Sequence, residues 1–152
     1  MLFRSRAELK HPFRFVELAQ EINARMPVYT VDRAAEVLNS HGKPLMGAHV
    51  LLLGVTYKSD VADTRESPVL LVARKLRSRG AVVTYHDPYV PDWRLDGEPV
   101  RRATDLDGEV ADADLVILLQ DHSSYDLDRI SRAARLVLDT RGRMEGPAVE
   151  KL

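Results

Sequence analysis

The chain of 152 residues contains no cysteine, and that absence removes disulfides, thiolate metal sites and thiol nucleophiles together. An excess of one charge is missing too. The 22 lysines and arginines nearly balance 23 aspartates and glutamates, so a net charge of -1 offers no broad field to a nucleic-acid backbone or an anionic membrane. Any anion site must be local. Long apolar runs are lacking: Leu115–Leu119 falls far below the roughly 20 residues that span a bilayer. Met1–Arg4 leads into charge without a signal-peptide core, so a cytoplasmic protein with no membrane partner is expected. The five histidines, at positions 11, 41, 49, 86 and 122, are scattered without the spacing of a zinc site. Neither a glycine-rich dinucleotide fingerprint nor a Walker loop occurs, since Gly54 is followed by Val-Thr-Tyr-Lys. Without such glycines the backbone cannot approach a pyrophosphate closely, and phosphate contacts must rely more on side chains.

What is present begins with 45% hydrophobic residues, enough for a sizeable core. Phe15, Leu18, Ile22 and Met26 recur at helical spacing, and after Pro27 the pattern resumes with Val31, Ala34 and Leu38 until Asn39-Ser-His-Gly42 stops it. This reads as one long helix bent at Pro27, where a backbone donor is lost and the preceding turn is crowded. About 28 residues at about 1.5 Å each span about 42 Å, comparable to the diameter of a domain. Phe13, Val16, Ala19, Val28 and Tyr29 widen its apolar surface, which suits packing on a globular body and on a second subunit or further domain. An ordinary amphipathic helix is the alternative.

From Lys43 on, the pattern alternates: strand 49–55, helix 68–79, strand 81–86, a Pro- and Gly-bearing loop 88–100, a short helix near 105–110, strand 115–119, helix 126–134 and strand 136–139. Ser67-Pro68 supplies a helix start and Gly80 a helix stop. The remainder, 142–152, reads as an irregular tail. Right-handed βαβ crossovers give an α/β fold, a Rossmann-like parallel sheet of about four or five strands with helices on both faces, preceded by the long helix.

The buried strand His49–Val55 feeds directly into Tyr57-Lys58, and each later strand also ends in polar residues: His86-Asp87, Gln120-Asp121-His122 and Arg141. A parallel sheet gathers these ends on one rim, where ligands of open α/β sheets bind. Lys58 offers a compact charge to a phosphate and Arg141 a planar fork, so a diphosphate suits the corner. Each residue has a plainer use. The Tyr57 ring caps the core as readily as it flanks a ligand, Arg65 pairs with Asp63 or Glu66, and Arg143 competes with Arg141. Asp60 and Asp63 suit turns and helix capping better than base chemistry, and Asp87-Pro88 suits a turn. His122 is the histidine that the sheet places on the rim, with no serine elbow beside it.

The helix Phe15-Val-Glu-Leu-Ala-Gln-Glu-Ile-Asn-Ala-Arg-Met-Pro27, the loop Gly54–Pro68 with Asp63-Thr-Arg-Glu-Ser67, Gly80 with Tyr85-His-Asp-Pro88, and Asp139-Thr-Arg141 resemble one family. It is the carboxyl-terminal domain of the nucleotide-sugar 6-dehydrogenases, the UDP-glucose/GDP-mannose dehydrogenase family. The resemblance implies part of an NAD-dependent, two-step oxidation of a UDP-sugar alcohol to a carboxylate through a cysteine thioester, with a UDP-glucose or UDP-N-acetylhexosamine substrate. In that family the cysteine, the catalytic lysine and the NAD domain all lie upstream of the long helix. By the same resemblance Tyr57, Lys58 and Arg141 match contacts to the nucleotide-sugar, and Arg65 matches a position reaching NAD held by the other domain. No catalytic or metal-binding residue carries over. Residues 1–42 match the linker and dimerisation helix of a homodimer, and 43–152 the nucleotide-sugar-binding domain. Two other readings remain open: a dimerisation or interaction module, and a stand-alone nucleotide-binding relative without catalysis. The purified chain, incubated with NAD and a UDP-sugar, is expected to form no NADH by absorbance; sustained NADH production would overturn this reading.

Overall fold

The structure is a computed structural model that describes residues 14–152, so Met1–Arg4, His11 and Phe13 lie outside the described residues. Helix α1 (Arg14–Ser40) runs as one element with Pro27 inside it. Its carboxyl-terminal half buries Thr30, Val31, Ala34, Val37 and Leu38, whereas Phe15, Leu18, Ile22 and Met26 on the amino-terminal half are exposed. The apolar periodicity thus continues past the point where the domain stops covering it.

After α1 come β1 (His49–Leu53), α2 (Val69–Ser78), β2 (Val82–His86), β3 (Arg94–Leu95), β4 (Glu98–Pro99) and β5 (Arg101–Arg102). The chain ends with α3 (Leu106–Asp112), β6 (Leu115–Leu118), α4 (Leu127–Ala133), β7 (Val137–Asp139) and β8 (Val149–Lys151). Six strands form a sheet in the order β5-β2-β1-β6-β7-β8, every neighbouring pair parallel. Alternate residues of each strand face opposite ways, and the core divides accordingly. Val50, Leu52, Val83, Tyr85, Ile117 and Leu138 join α1 and α2 on one face. On the other, Leu51, Leu53, Val116, Leu118 and Val137 meet Val110 of α3 and Ile130 of α4. Both faces are covered, which is why the strands read as nearly continuous apolar runs.

Three details differ from the sequence expectation. The sheet has six strands, not four or five. The segment read as an irregular tail supplies β8, paired with β7 through Val137↔Val149, Leu138↔Glu150 and Asp139↔Lys151. Its alternation is too short, and too exposed at Glu150 and Lys151, to signal a strand without a neighbour's hydrogen bonds. The 88–100 loop contains a hairpin, β3–β4, turned at Asp96 and Gly97, both with positive φ as tight hairpins require. Arg74 of α2 donates to Asp96 at 2.7 Å and docks the turn.

The chain moves outward from β1 to β2 and β5, then returns through α3 to place β6 on the other side of β1. This reversal opens a crevice at the carboxyl ends of β1 and β6. Gly54 sits at its floor with φ +77°, and a Cβ there would stand 2.5 Å from the Gln120 carbonyl oxygen. Only glycine permits that turn and that approach together. Gly54→Ala is expected to cost about 3 kcal/mol, combining left-handed strain with overpacking. Gly97→Ala, at φ +86° with nothing within 4 Å, should cost only about 1 kcal/mol. Urea denaturation of both variants checks the difference.

Candidate functional site

The loop leaving β1 is held from below by a buried polar pair. Asp87, fully buried, accepts the Val55 amide at 2.8 Å on Oδ2 and the Tyr89 amide at 2.8 Å on Oδ1. His122 Nε2 lies 2.9 Å from Asp87 Oδ2, while His122 Nδ1 accepts the Asp60 amide at 2.9 Å. Because Nδ1 receives a proton donor, the ring's own proton sits on Nε2 and is donated to the carboxylate. Both ends of the 55–60 segment are thereby anchored. His122 is a structural link, engaged at both nitrogens with a fully buried side chain.

Asp60 adopts φ +60° and accepts the Ser123 amide at 2.9 Å and the Tyr89 hydroxyl at 3.2 Å on Oδ1. The Ser123 amide, first among its partners, holds the Asp60 carboxyl below the usual range. Its role is turn formation. Further along, the Tyr57 amide donates to the Asp63 carbonyl at 2.8 Å and Thr56 Oγ1 donates to the Lys58 carbonyl at 2.8 Å. The backbone bonds turn inward and leave the Tyr57 and Lys58 side chains exposed. Pro68 has helical dihedrals and the Ser67 hydroxyl accepts the Val69 amide at 3.4 Å, so the Ser-Pro pair does open α2.

An open groove of about 630 Å³ runs along this loop, lined by Tyr57, Lys58, Val61, Asp63, Arg65 and Glu66. Three of the four residues singled out from sequence therefore share one depression. Tyr57 is 56% exposed, so its ring does not cap the core. The Lys58 ammonium has no hydrogen bond or ion pair among the described residues, although its charge helps to lower the Asp63 carboxyl. Arg65 is different: its Nε and Nη2 donate to the two Asp63 oxygens at 3.0 Å each, so its fork is engaged by the neighbour that sequence named as an alternative.

Arg141 lies outside that groove, on the loop after β7. The buried Asp139 carboxylate organises this loop by accepting four successive amides: Arg141 at 2.8 Å, Gly142 at 3.0 Å, Arg143 at 2.6 Å and Met144 at 2.7 Å. The two loops meet at Asp121. Its Oδ1 accepts the Ser59 hydroxyl at 3.2 Å and stands 3.7 Å from Arg141 Nε, and its Oδ2 stands 3.1 Å from Arg143 Nε. Arg141 is thus brought beside Ser59, next to Lys58, through a shared carboxylate. The sequence reading gave no role to Asp121, Asp139 or Ser59; a buried carboxylate followed by Thr-Arg-Gly is the signal that points to an amide-binding turn at Asp139.

At the neighbouring strand end, the Tyr125 hydroxyl donates to the His86 carbonyl at 2.8 Å, and burial pushes this phenol well above its ordinary value. Burial, aided by the charge of Arg102, lowers His86. Among the described residues no cluster of three or more His, Asp or Glu side chains can hold a metal ion, and no helix is long and apolar enough to cross a membrane.

Residues 51–146 match the model of the UDP-glucose/GDP-mannose dehydrogenase family, UDP binding domain. The UDP-N-acetyl-D-mannosamine dehydrogenase of Methanocaldococcus jannaschii is 31% identical over 147 residues, covering 91% of this chain and 32% of that protein. The UDP-glucose 6-dehydrogenase TuaD of Bacillus subtilis is 30% identical over 113 residues, covering 73% of the chain and 24% of its own length. Among solved structures, the UDP-D-ManNAc dehydrogenase of Pyrococcus horikoshii superposes with a TM-score of 0.76 at 25% identity, over 95% of this chain and 35% of that one. The chain therefore spans about a third or less of the length of the relatives it matches.

The Arg65 fork and amide hold the Asp63 carboxyl down at about 2. A carboxyl whose folded value is depressed contributes stability above its ordinary unfolded value of about 4, lost as pH falls toward 2. Carboxyl-detected NMR titration should place the Asp63 midpoint near 2 and show it rising toward the ordinary range in Arg65→Ala. An unchanged midpoint in the variant would refute the pairing.

Proposed function

Because the chain belongs to the UDP-glucose/GDP-mannose dehydrogenase family, as its UDP-binding domain, we propose that it holds a UDP-sugar for an NAD-dependent nucleotide-sugar 6-dehydrogenase. The diphosphate lies across the crevice at the carboxyl ends of β1 and β6. The observation that carries this reading is Lys58, an exposed ammonium without a hydrogen-bonding partner among the described residues, on a loop whose backbone is fixed at Val55 and Asp60. A cation so placed loses little freedom when it meets a phosphate, and the anchored loop does not need to reorganise. Arg141 grips from the other side with a planar fork, and the exposed Tyr57 ring lies along the ligand. The sugar's reacting carbon then points away from this domain, which offers no catalytic residue toward it.

The 6-oxidation itself belongs, in this reading, to a larger cytoplasmic enzyme of which the chain contributes the nucleotide-holding part. NAD supplies the hydride acceptor. The chain lacks the glycine-rich loop that a dinucleotide pyrophosphate needs, so NAD sits mainly on another domain, with Arg65 on the rim as the contact from this side. Asp63 holds that guanidinium in extended, exposed form.

Residues 1–42 act as linker and dimer helix in this reading, with 43–152 as the binding unit. Exposed Phe15, Leu18, Ile22 and Met26 on one stripe of α1 support a homodimer and equally support the alternative of an interaction module. Lys58, whose ammonium has no hydrogen-bonding partner among the described residues, favours the nucleotide reading, since dimerisation gives it no task.

Calorimetric titration with UDP at low salt is the test. Hydrogen bonds to charged groups contribute about 1.5–3 kcal/mol, so Lys58→Ala and Arg141→Ala should each weaken binding roughly tenfold or more. Raised salt should weaken binding too. Wild-type affinity matched by both variants would rule out this crevice as the site.

A further inference from the structure

Asp121 is an odd residue to find in an anion site. Its carboxylate stands between the loop carrying Lys58 and the loop carrying Arg141, where its charge opposes an incoming phosphate. Yet it is the more buried partner: its side chain is 21% exposed, against 46% for Arg141 and 63% for Arg143. Each oxygen has its own duty. Oδ1 joins Ser59 Oγ at 3.2 Å to Arg141 Nε at 3.7 Å, and Oδ2 takes Arg143 Nε at 3.1 Å. The Asp139 carboxylate already fixes the backbone from Arg141 to Met144, so what remains free in that loop is the two long side chains. Holding both at the Nε edge leaves the terminal nitrogens of each fork available to a ligand.

We propose that Asp121 is the positioning residue for phosphate recognition, and that through it Arg141 and Arg143 act as a pair on the diphosphate. This rests on the nucleotide reading above. Sequence treats the two arginines as competitors for one role; the shared carboxylate makes them joint. The Ser59 contact extends the effect, because it ties the arginine pair to the residue following Lys58 and sets the separation of the cations on the two sides of the crevice. The carboxylate's repulsion of the ligand is offset by the order it imposes on two side chains that otherwise sample many rotamers.

Asp121→Asn is the informative variant, since the amide oxygen still accepts from Ser59 while the charge that holds the arginines is gone. UDP affinity should fall roughly fivefold, the scale of a partly exposed ion pair, while affinity for uridine, which carries no phosphate, should not change. In an Arg141→Ala/Arg143→Ala background the same substitution should no longer weaken UDP binding, and relief of the carboxylate's repulsion should leave the affinity equal or slightly tighter. Independently of any ligand, the Nε–H signals of Arg141 and Arg143 in NMR spectra should be restricted in the wild type and averaged in Asp121→Asn. Unchanged or tighter UDP binding by Asp121→Asn, or a fivefold loss that persists without the arginines, would overturn the proposal. A wild-type chain that ignores UDP would sink the nucleotide reading, and the arginine signals would still decide whether Asp121 orders them.

Discussion

A carboxylate with no access to water must be met by donors, and Asp87 draws them from separate stretches of chain: the Val55 amide, the Tyr89 amide and the His122 ring. His122 passes the constraint on by accepting the Asp60 amide. In this way the ends of β1, β2 and β6 are joined at one buried point, directly under the loop that carries Tyr57 and Lys58. Breaking either member leaves the other polar and dry, so the pair rigidifies what stands on it. The exposed site above is orderly because its support is buried.

That support shows how a chain without a glycine-rich phosphate loop would present the proposed anion site. Where backbone amides approach a phosphate, glycines are needed to let them in. Here the amides are turned inward, to Asp87, His122 and Asp139, and side chains face outward. Such a site needs its long cations held in place, and carboxylates serve as holders: Asp63 for Arg65, and Asp121 for Arg141 and Arg143. In the proposed anion site the acidic residues on this rim therefore serve as holders of its cations. Most of these pairs are exposed, so their effect is on geometry more than on stability.

Helix α1 shows the same economy at larger scale. One periodic apolar pattern runs from Phe15 to Leu38, but its two halves meet different surroundings: Val31, Ala34 and Leu38 are fully buried, while Phe15 is 83% exposed. The half that packs joins α2 over one face of the sheet. The other half extends the same stripe with its apolar side chains exposed among the described residues.

Local patterns were enough to read much of this architecture. Apolar runs at 49–55 and 115–119 announced strands, which the structure has at His49–Leu53 and Leu115–Leu118, Ser67-Pro68 and Gly80 bounded α2, and the position of Lys58 just past β1 placed it on the rim. Asp96-Gly97 carried a hairpin signal that the surrounding short strands were too brief to support. Strand β8 was not legible at all, because Val149–Lys151 acquires its extended form from hydrogen bonding to β7, a partner that no local window contains. The site divides in the same way. Residue type and strand order put Tyr57, Lys58 and Arg141 on the rim, since charge and ring chemistry are properties of single side chains, and the family resemblance added the role expected of Arg65. The joining of Asp121 to Ser59, Arg141 and Arg143, and of Asp87 to His122, came only from the folded chain. Such pairs lie tens of residues apart in sequence, and their worth arises from burial and distance, which exist only once the sheet has brought its strand ends together.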